Sequence, residues 1–169
     1  MISKYELIEK YKELVVKQKS SKINVKDLCN ELGISRTTFY KNFKDIYEII
    51  EYILVNESIK LMNTLIIENI DPFTIVESWY VSFYKNKDFY YYAIKDEAQN
   101  SLFNTLINKL TEFNKELYGN IYSGDDLEYL SYKNASMQAM LLKKWIIEGM
   151  VIEPKKMTEY YMNSFKWTK

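Results

Sequence analysis

A chain of 169 residues, with 47% hydrophobic and 27% charged residues and a formal net charge of zero, is long enough for one folded domain or one domain with a small appended module; its composition is neither disordered nor membrane-like. It contains no histidine, which excludes Ser-His and Cys-His nucleophile pairs, zinc-histidine centres and imidazole general bases, and with them most hydrolase and metalloenzyme readings. Four glycines and two prolines are too few for the turns of a β-protein, so the composition predicts an all-α fold.

Leu7, Ile8, Tyr11, Leu14 and Val15 repeat on one helical face and predict a first helix over about 5 to 19. Asn24 is a good N-cap with Asp27 three residues on, and Val25, Leu28, Cys29 and Leu32 form the apolar face of a short second helix that Gly33 ends. After Ile34, Ser35 can cap a third helix with Phe39 and Phe43 on one face, so the order is helix, tight turn, helix. Asp45 with Glu48 resembles a capping box opening a long fourth helix through Ile46, Ile49, Ile50, Ile53, Leu54, Leu61 and Leu65. Asp71-Pro72 reads as N-cap and first helical position of a fifth helix carrying Ile75, Trp79 and Phe83. Asn86 to Asp88 reads as a turn before the aromatic run Phe89 to Tyr92, and Leu102 to Leu117 gives the cleanest amphipathic pattern, ended by Gly119. Ser123 to Asp126 reads as loop and cap before a helix of roughly 126 to 148; Glu153-Pro154 then opens a last helix with Met157, Tyr160, Tyr161 and Phe165. No uninterrupted apolar run approaches the ~18 residues of a membrane span, and the single Cys29 cannot form an internal disulfide. The expectation is a cytoplasmic chain with no membrane partner and no cofactor or metal.

Charge is unevenly placed. Residues 1 to 44 hold ten Lys/Arg against five Asp/Glu, a net of +5, and residues 45 to 169 hold thirteen against eighteen, a net of −5. A basic end on an otherwise acidic chain suggests a surface that faces nucleic acid. The third helix offers Arg36, Thr37, Thr38, Tyr40, Lys41 and Asn42 on its polar side. Arg can bond guanine bidentately, Asn can bond adenine, a Thr methyl can meet the thymine methyl, and Lys, Thr and Tyr can hold phosphate oxygens.

Three features carry a resemblance: Ile-x-Val-x-x-Leu from Ile23, Leu-Gly-Ile-Ser from Leu32, and Ser-Arg-x-Thr-Phe-Tyr-x-x-Phe from Ser35, followed by Lys44-Asp45. Over residues 5 to 54 the chain resembles the DNA-binding domain of TetR/AcrR-type transcriptional regulators. The resemblance implies phosphate contacts from Asn24 and Tyr40, with Arg36 and Thr37 lying along the groove; Ser35, the cap of that helix, is a further DNA-binding candidate. Two positions depart from the family pattern: Asn42 stands where a histidine is common, and Ile46 replaces a frequent lysine. Lys41, Lys44 or the N-terminus of the fourth helix are the candidates for those contacts, and Lys22, just before the cap, is another.

Further along, Phe83 to Tyr90 and Lys144 to Met150 resemble the effector domain of the subgroup that includes DhaS-type regulators. The resemblance implies a small-molecule effector or a protein partner, and a homodimer formed through the last two long helices. The conspicuous aromatic set, Trp79, Tyr80, Phe83, Tyr84, Tyr91 and Trp145 with Phe89, Tyr90 and Tyr92, has two readings. It lines an effector site with Glu77, Asp96 or Glu97 as counter-charge, or it forms the core and its polar-tipped boundary. The expected organisation is a helix-turn-helix domain at 1–50 and a regulatory and dimerisation domain at 51–169. The expected activity is binding of a double-stranded operator rather than catalysis.

Overall fold

The computed structural model describes residues 2–94 and 100–164, so the expectations placed on Asp96, Glu97 and Phe165 lie outside the described residues. Within them the chain forms ten α-helices and no strand. The first, α1 (Lys4–Gln18), opens on a capping box in which the Ser3 hydroxyl accepts from Glu6 N–H and the Glu6 carboxylate accepts from Ser3 N–H at 2.7 Å. Its apolar face, Leu7 to Val15, is buried as the spacing requires. Helix α2 (Val25–Leu32) is capped by Asn24 and ends at Gly33, whose φ of +64° lies in the left-handed region open to glycine. Helix α3 (Arg36–Tyr40) follows after Ile34 alone and is only five residues long.

The fourth helical run departs from the expected single α-helix. It consists of α4 (Ile46–Glu51), a π-helical segment (Tyr52–Glu57) and α5 (Ser58–Ile67). A continuous α-helix through Ile50 and Ile53 would turn Leu61 and Leu65 inward. The wider π turn accommodates one additional residue and moves the inward face onward by one position, so Ser58 and Met62 are buried while Leu61 and Leu65 are only half-buried. Across that segment the Ser58 hydroxyl donates to the Leu54 carbonyl at 2.5 Å. The cap of α4 also differs from a reciprocal box: the Asp45 carboxylate accepts from Glu48 N–H, but Glu48 reaches the backbone N–H of Lys44.

Helix α6 (Pro72–Tyr84) starts as expected, with the Asp71 carboxylate accepting from Thr74 N–H at 3.0 Å and proline in the first turn. Then come α7 (Lys87–Ile94), α8 (Asn100–Tyr118), α9 (Gly124–Ile147) and α10 (Pro154–Asn163). The long pair α8 and α9 runs side by side; α10 packs on α6, α7 on α9, and α4 with the π segment on α8. Helix α1 packs on both α2 and α7, where Tyr11 meets Phe89 edge to face at 6.1 Å. One contiguous apolar core results, running from Leu7 to Tyr161. No described helix is long and apolar enough to cross a membrane.

Candidate nucleic-acid interface

The α2–α3 unit is held from below by apolar residues. Leu28, Phe39 and Phe43 are fully buried, and Phe39 lies against Phe43 with ring centroids 6.3 Å apart. The Lys4 ammonium sits 4.6 Å from the Phe43 ring and 4.4 Å from the Tyr52 ring, tying the start of α1 to the end of this unit and to the π segment. Cys29 is buried, with its thiol facing the Ser35 carbonyl at 3.8 Å; burial pushes the thiol pKa up, which disfavours the reactive thiolate.

With its apolar side committed, α3 turns a polar side outward. Arg36, Thr37, Tyr40 and Lys41 are exposed, as are Ser35, Lys22, Asn24 and Lys44 around them. Tyr40 is 56% exposed, with its ring edge-on to Phe39 at 5.3 Å, so the phenol is presented on a fixed base. Four of the sequence candidates are also used within the protein. The Thr38 hydroxyl pairs with that of Ser35 at 3.0 Å, half-buried Asn42 donates its amide to the Thr38 carbonyl at 3.1 Å, and Asn24 caps α2 through Asp27. Ile46 is buried in the core.

The electrostatics of this end follow from where its acids go. Glu9 and Glu13 pair with Lys12 and Lys10 along α1, Glu31 pairs with Lys17 at 3.6 Å, Glu6 closes the α1 capping box, and Asp27 accepts from the Asn24 amide at 2.6 Å. All five carboxylates of the first 44 residues are therefore engaged away from α3. Among the described residues, Lys22, Lys26, Arg36, Lys41 and Lys44 form no ion pair. Their charged groups carry no ion-pair partner beside the helix-turn-helix, an arrangement suited to a polyanion.

The aromatic set occupies a different place. Trp79, Tyr80, Phe83 and Trp145 are at most 2% exposed and pack against each other, with centroids 4.9 Å apart for Trp79–Phe83 and 5.4 Å for Tyr80–Trp145. Tyr84 stacks on Trp145 at 6.0 Å, and the Trp145 indole N–H donates to the Ile152 carbonyl at 2.8 Å. Tyr91 is half-buried against Tyr92. These rings bind α6, α7 and α9 together, which is the packing role of the two readings. A cavity of about 570 Å³ lies elsewhere, between α5, α6, α8, α9 and α10, and none of these six aromatic residues lines it. Its polar lining includes Asn114 and Gln138, which the sequence reading passed over. A signal existed for Gln138: it falls on the same helical face as Ala135, Ala139 and Leu142, all of them fully buried.

No protein-family model matches the chain, and no curated protein matches it significantly. Among solved structures, the one described as dihydroxyacetone kinase operon activator DhaS is similar at 19% identity, with a TM-score of 0.63 over 98% of this chain and 94% of that one. On that likeness, the chain shares the all-helical fold of that activator.

Proposed function

We propose that this chain is a sequence-specific DNA-binding transcriptional regulator of the TetR/AcrR type, acting as a homodimer and controlled by a small-molecule effector. The observation that carries the reading is the outward side of α3: Arg36, Thr37, Tyr40 and Lys41 exposed on a braced helix, flanked by lysines that form no ion pair among the described residues. In this reading Arg36 and Thr37 read base edges from the start of α3, while Tyr40, Lys41, Lys44, Lys22 and Asn24 hold phosphates. Ser35, Thr38 and Asn42 keep the helix in shape beside them. The reading head is 1–50, and the regulatory part, 51–169, opens on the π-helical segment Tyr52–Glu57.

Arg36→Ala should cost about 1 to 3 kcal/mol of operator binding and relax specificity at one base, whereas Tyr40→Ala should weaken all sequences alike. Fluorescence anisotropy on operators recovered by genomic selection measures both effects. Wild-type affinity in both variants rules the reading out.

The homodimer finds support in α9. Its inward face is buried, but Tyr129, Tyr132, Met140 and Ile147 recur at helical spacing on the outer face and are 42 to 72% exposed. Helix α10 is partly committed to its own chain, since Met157, Thr158 and Tyr161 are buried while Tyr160 is 49% exposed. A pair of such faces meeting its symmetry mate gives an isologous bundle, and a two-fold protein suits half-sites one ~34 to 36 Å helical turn apart or a multiple of it. Tyr132→Lys combined with Met140→Glu should therefore leave circular dichroism unchanged and convert a micromolar dimer to a monomer in sedimentation. A double variant that stays dimeric would place pairing elsewhere.

The same exposed tyrosines favour the second reading, in which the C-terminal part docks a protein partner through aromatic anchors. The cavity favours the small-molecule reading.

A further inference from the structure

The cavity between α5, α6, α8, α9 and α10 has a wall of Met62, Ile66, Val76, Phe113 and Met162, and its volume of about 570 Å³ is within the range of small-molecule sites. Its polar groups are neutral ones, the amides of Asn69, Asn114 and Gln138 and the phenols of Tyr118 and Tyr161; among the described residues no Asp, Glu, Lys or Arg lines it. Asn114 is committed to the scaffold, since its amide donates to the Ser131 carbonyl at 3.2 Å and so ties α8 to α9.

Gln138 is different. It is 4% exposed, on the buried face of α9, and its amide nitrogen reaches only the Met62 sulfur at 4.0 Å, a weak acceptor. No described residue donates to its amide carbonyl. A primary amide offers two donors and an accepting oxygen, and most of this capacity in Gln138 is left to the cavity that it lines. The group belongs to a cavity large enough to bring it a partner.

We propose that this cavity binds an uncharged, largely apolar small molecule carrying one hydroxyl or amide group, and that Gln138 seats that group. A hydroxyl can donate to the Gln138 carbonyl and accept from its amide, while the remainder of the molecule displaces water from the Met, Ile, Val and Phe wall. A carboxylate or ammonium is disfavoured, because it would lose its hydration with no counter-charge on the wall. The site gives the proposed regulator's effector a location and a chemical class, and it rests on that reading only for its regulatory consequence.

Titration of the full chain with 1-decanol, in calorimetry and by thermal shift, tests the site without DNA. Decanol should bind saturably at one per chain and raise the melting temperature, and decanoate at pH 8 should bind at least tenfold more weakly. Gln138→Leu nearly keeps the volume and removes the unfilled amide. It should melt no lower than wild type and bind decanol about tenfold more weakly, the loss expected for a pair of neutral hydrogen bonds. If that variant does not fold, Gln138→Asn, which withdraws the amide by one methylene, should show the same weakening. No saturable decanol binding, equal affinity for decanoate, or unchanged decanol affinity in the Gln138 variants each overturns the assignment. Because no DNA enters this titration, its failure leaves the operator-binding reading standing, and failure of the α3 variants leaves this site standing.

Discussion

Operator affinity should fall by about three orders of magnitude between 50 and 200 mM salt, although the whole chain is formally neutral. The reason is local. Lys22, Lys41 and Lys44 are exposed and unpaired among the described residues, while the acids of the first 44 residues are occupied along α1 and at the α2 cap. The compensating −5 lies in residues 45 to 169; apart from Asp45 and Glu48 beside Lys44, these acids belong to the rest of the chain, and charges farther than the ~10 Å Debye length of 0.1 M salt are screened from the DNA-facing end. Three lysines per head make about six neutralised phosphates in a dimer. At ~0.9 per phosphate this gives a slope near −5 in log K against log salt. Lys41→Ala should reduce that slope by about 2 in the dimer, one contact being lost from each head. Anisotropy titrations at four or five salt concentrations measure the slope directly. A flat profile would contradict the phosphate-facing assignment of these lysines.

Trp79→Ala should destabilise the chain by about 3 to 5 kcal/mol, the cost of truncating a fully buried aromatic side chain in a core that cannot collapse onto the space. Trp79 is 0% exposed and lies edge-on to Tyr80 and Phe83 at 5.2 and 4.9 Å, so its loss opens a void among rings that also bind α7 and α9. For a chain of this size the melting temperature should drop by about 6 to 20 °C. Trp79→Phe should be far milder. The indole N–H finds no hydrogen-bond partner among the described residues, so replacing it by a phenyl ring removes an unpaired buried donor along with some packing. Urea denaturation of the two variants separates the terms. A Trp79→Ala loss below ~1 kcal/mol would mean that this ring lines an open site and is not part of the core.

The positions where sequence reading and structure agree are those governed by local chemistry. Asn24, Ser35, Asp45 and Asp71 each cap the helix that follows them, and Gly33 turns left-handed at the end of α2, because a side-chain oxygen two or three residues from a free N–H, or a residue without Cβ, acts within one turn of chain. The apolar faces of α1 and α2 were legible for the same reason: the helical period alone decides which side chains share a side. The outward side of α3 follows from these, since burying Phe39 and Phe43 leaves Arg36, Thr37, Tyr40 and Lys41 no other direction.

What only the tertiary structure decided lies where long-range packing overrides the local period. Ile46 to Leu65 reads as one regular helix, yet the π segment at Tyr52–Glu57 moves the buried face from Leu61 to Ser58 and Met62, because α8 packs against this stretch. The aromatic residues of α6 and α7 could be read from the sequence as lining a pocket or, the favoured reading, as forming a closed core. Composition cannot separate the two, because a ring in either place is surrounded by other apolar residues. The rings of α6 close on Trp145, more than fifty residues along the chain, and it is their mutual packing that makes them core. Gln138 belongs to the same class: its face was readable from Ala135, Ala139 and Leu142, but that its amide meets only the Met62 sulfur, with its carbonyl left to the cavity, is decided only once five separate helices line that cavity.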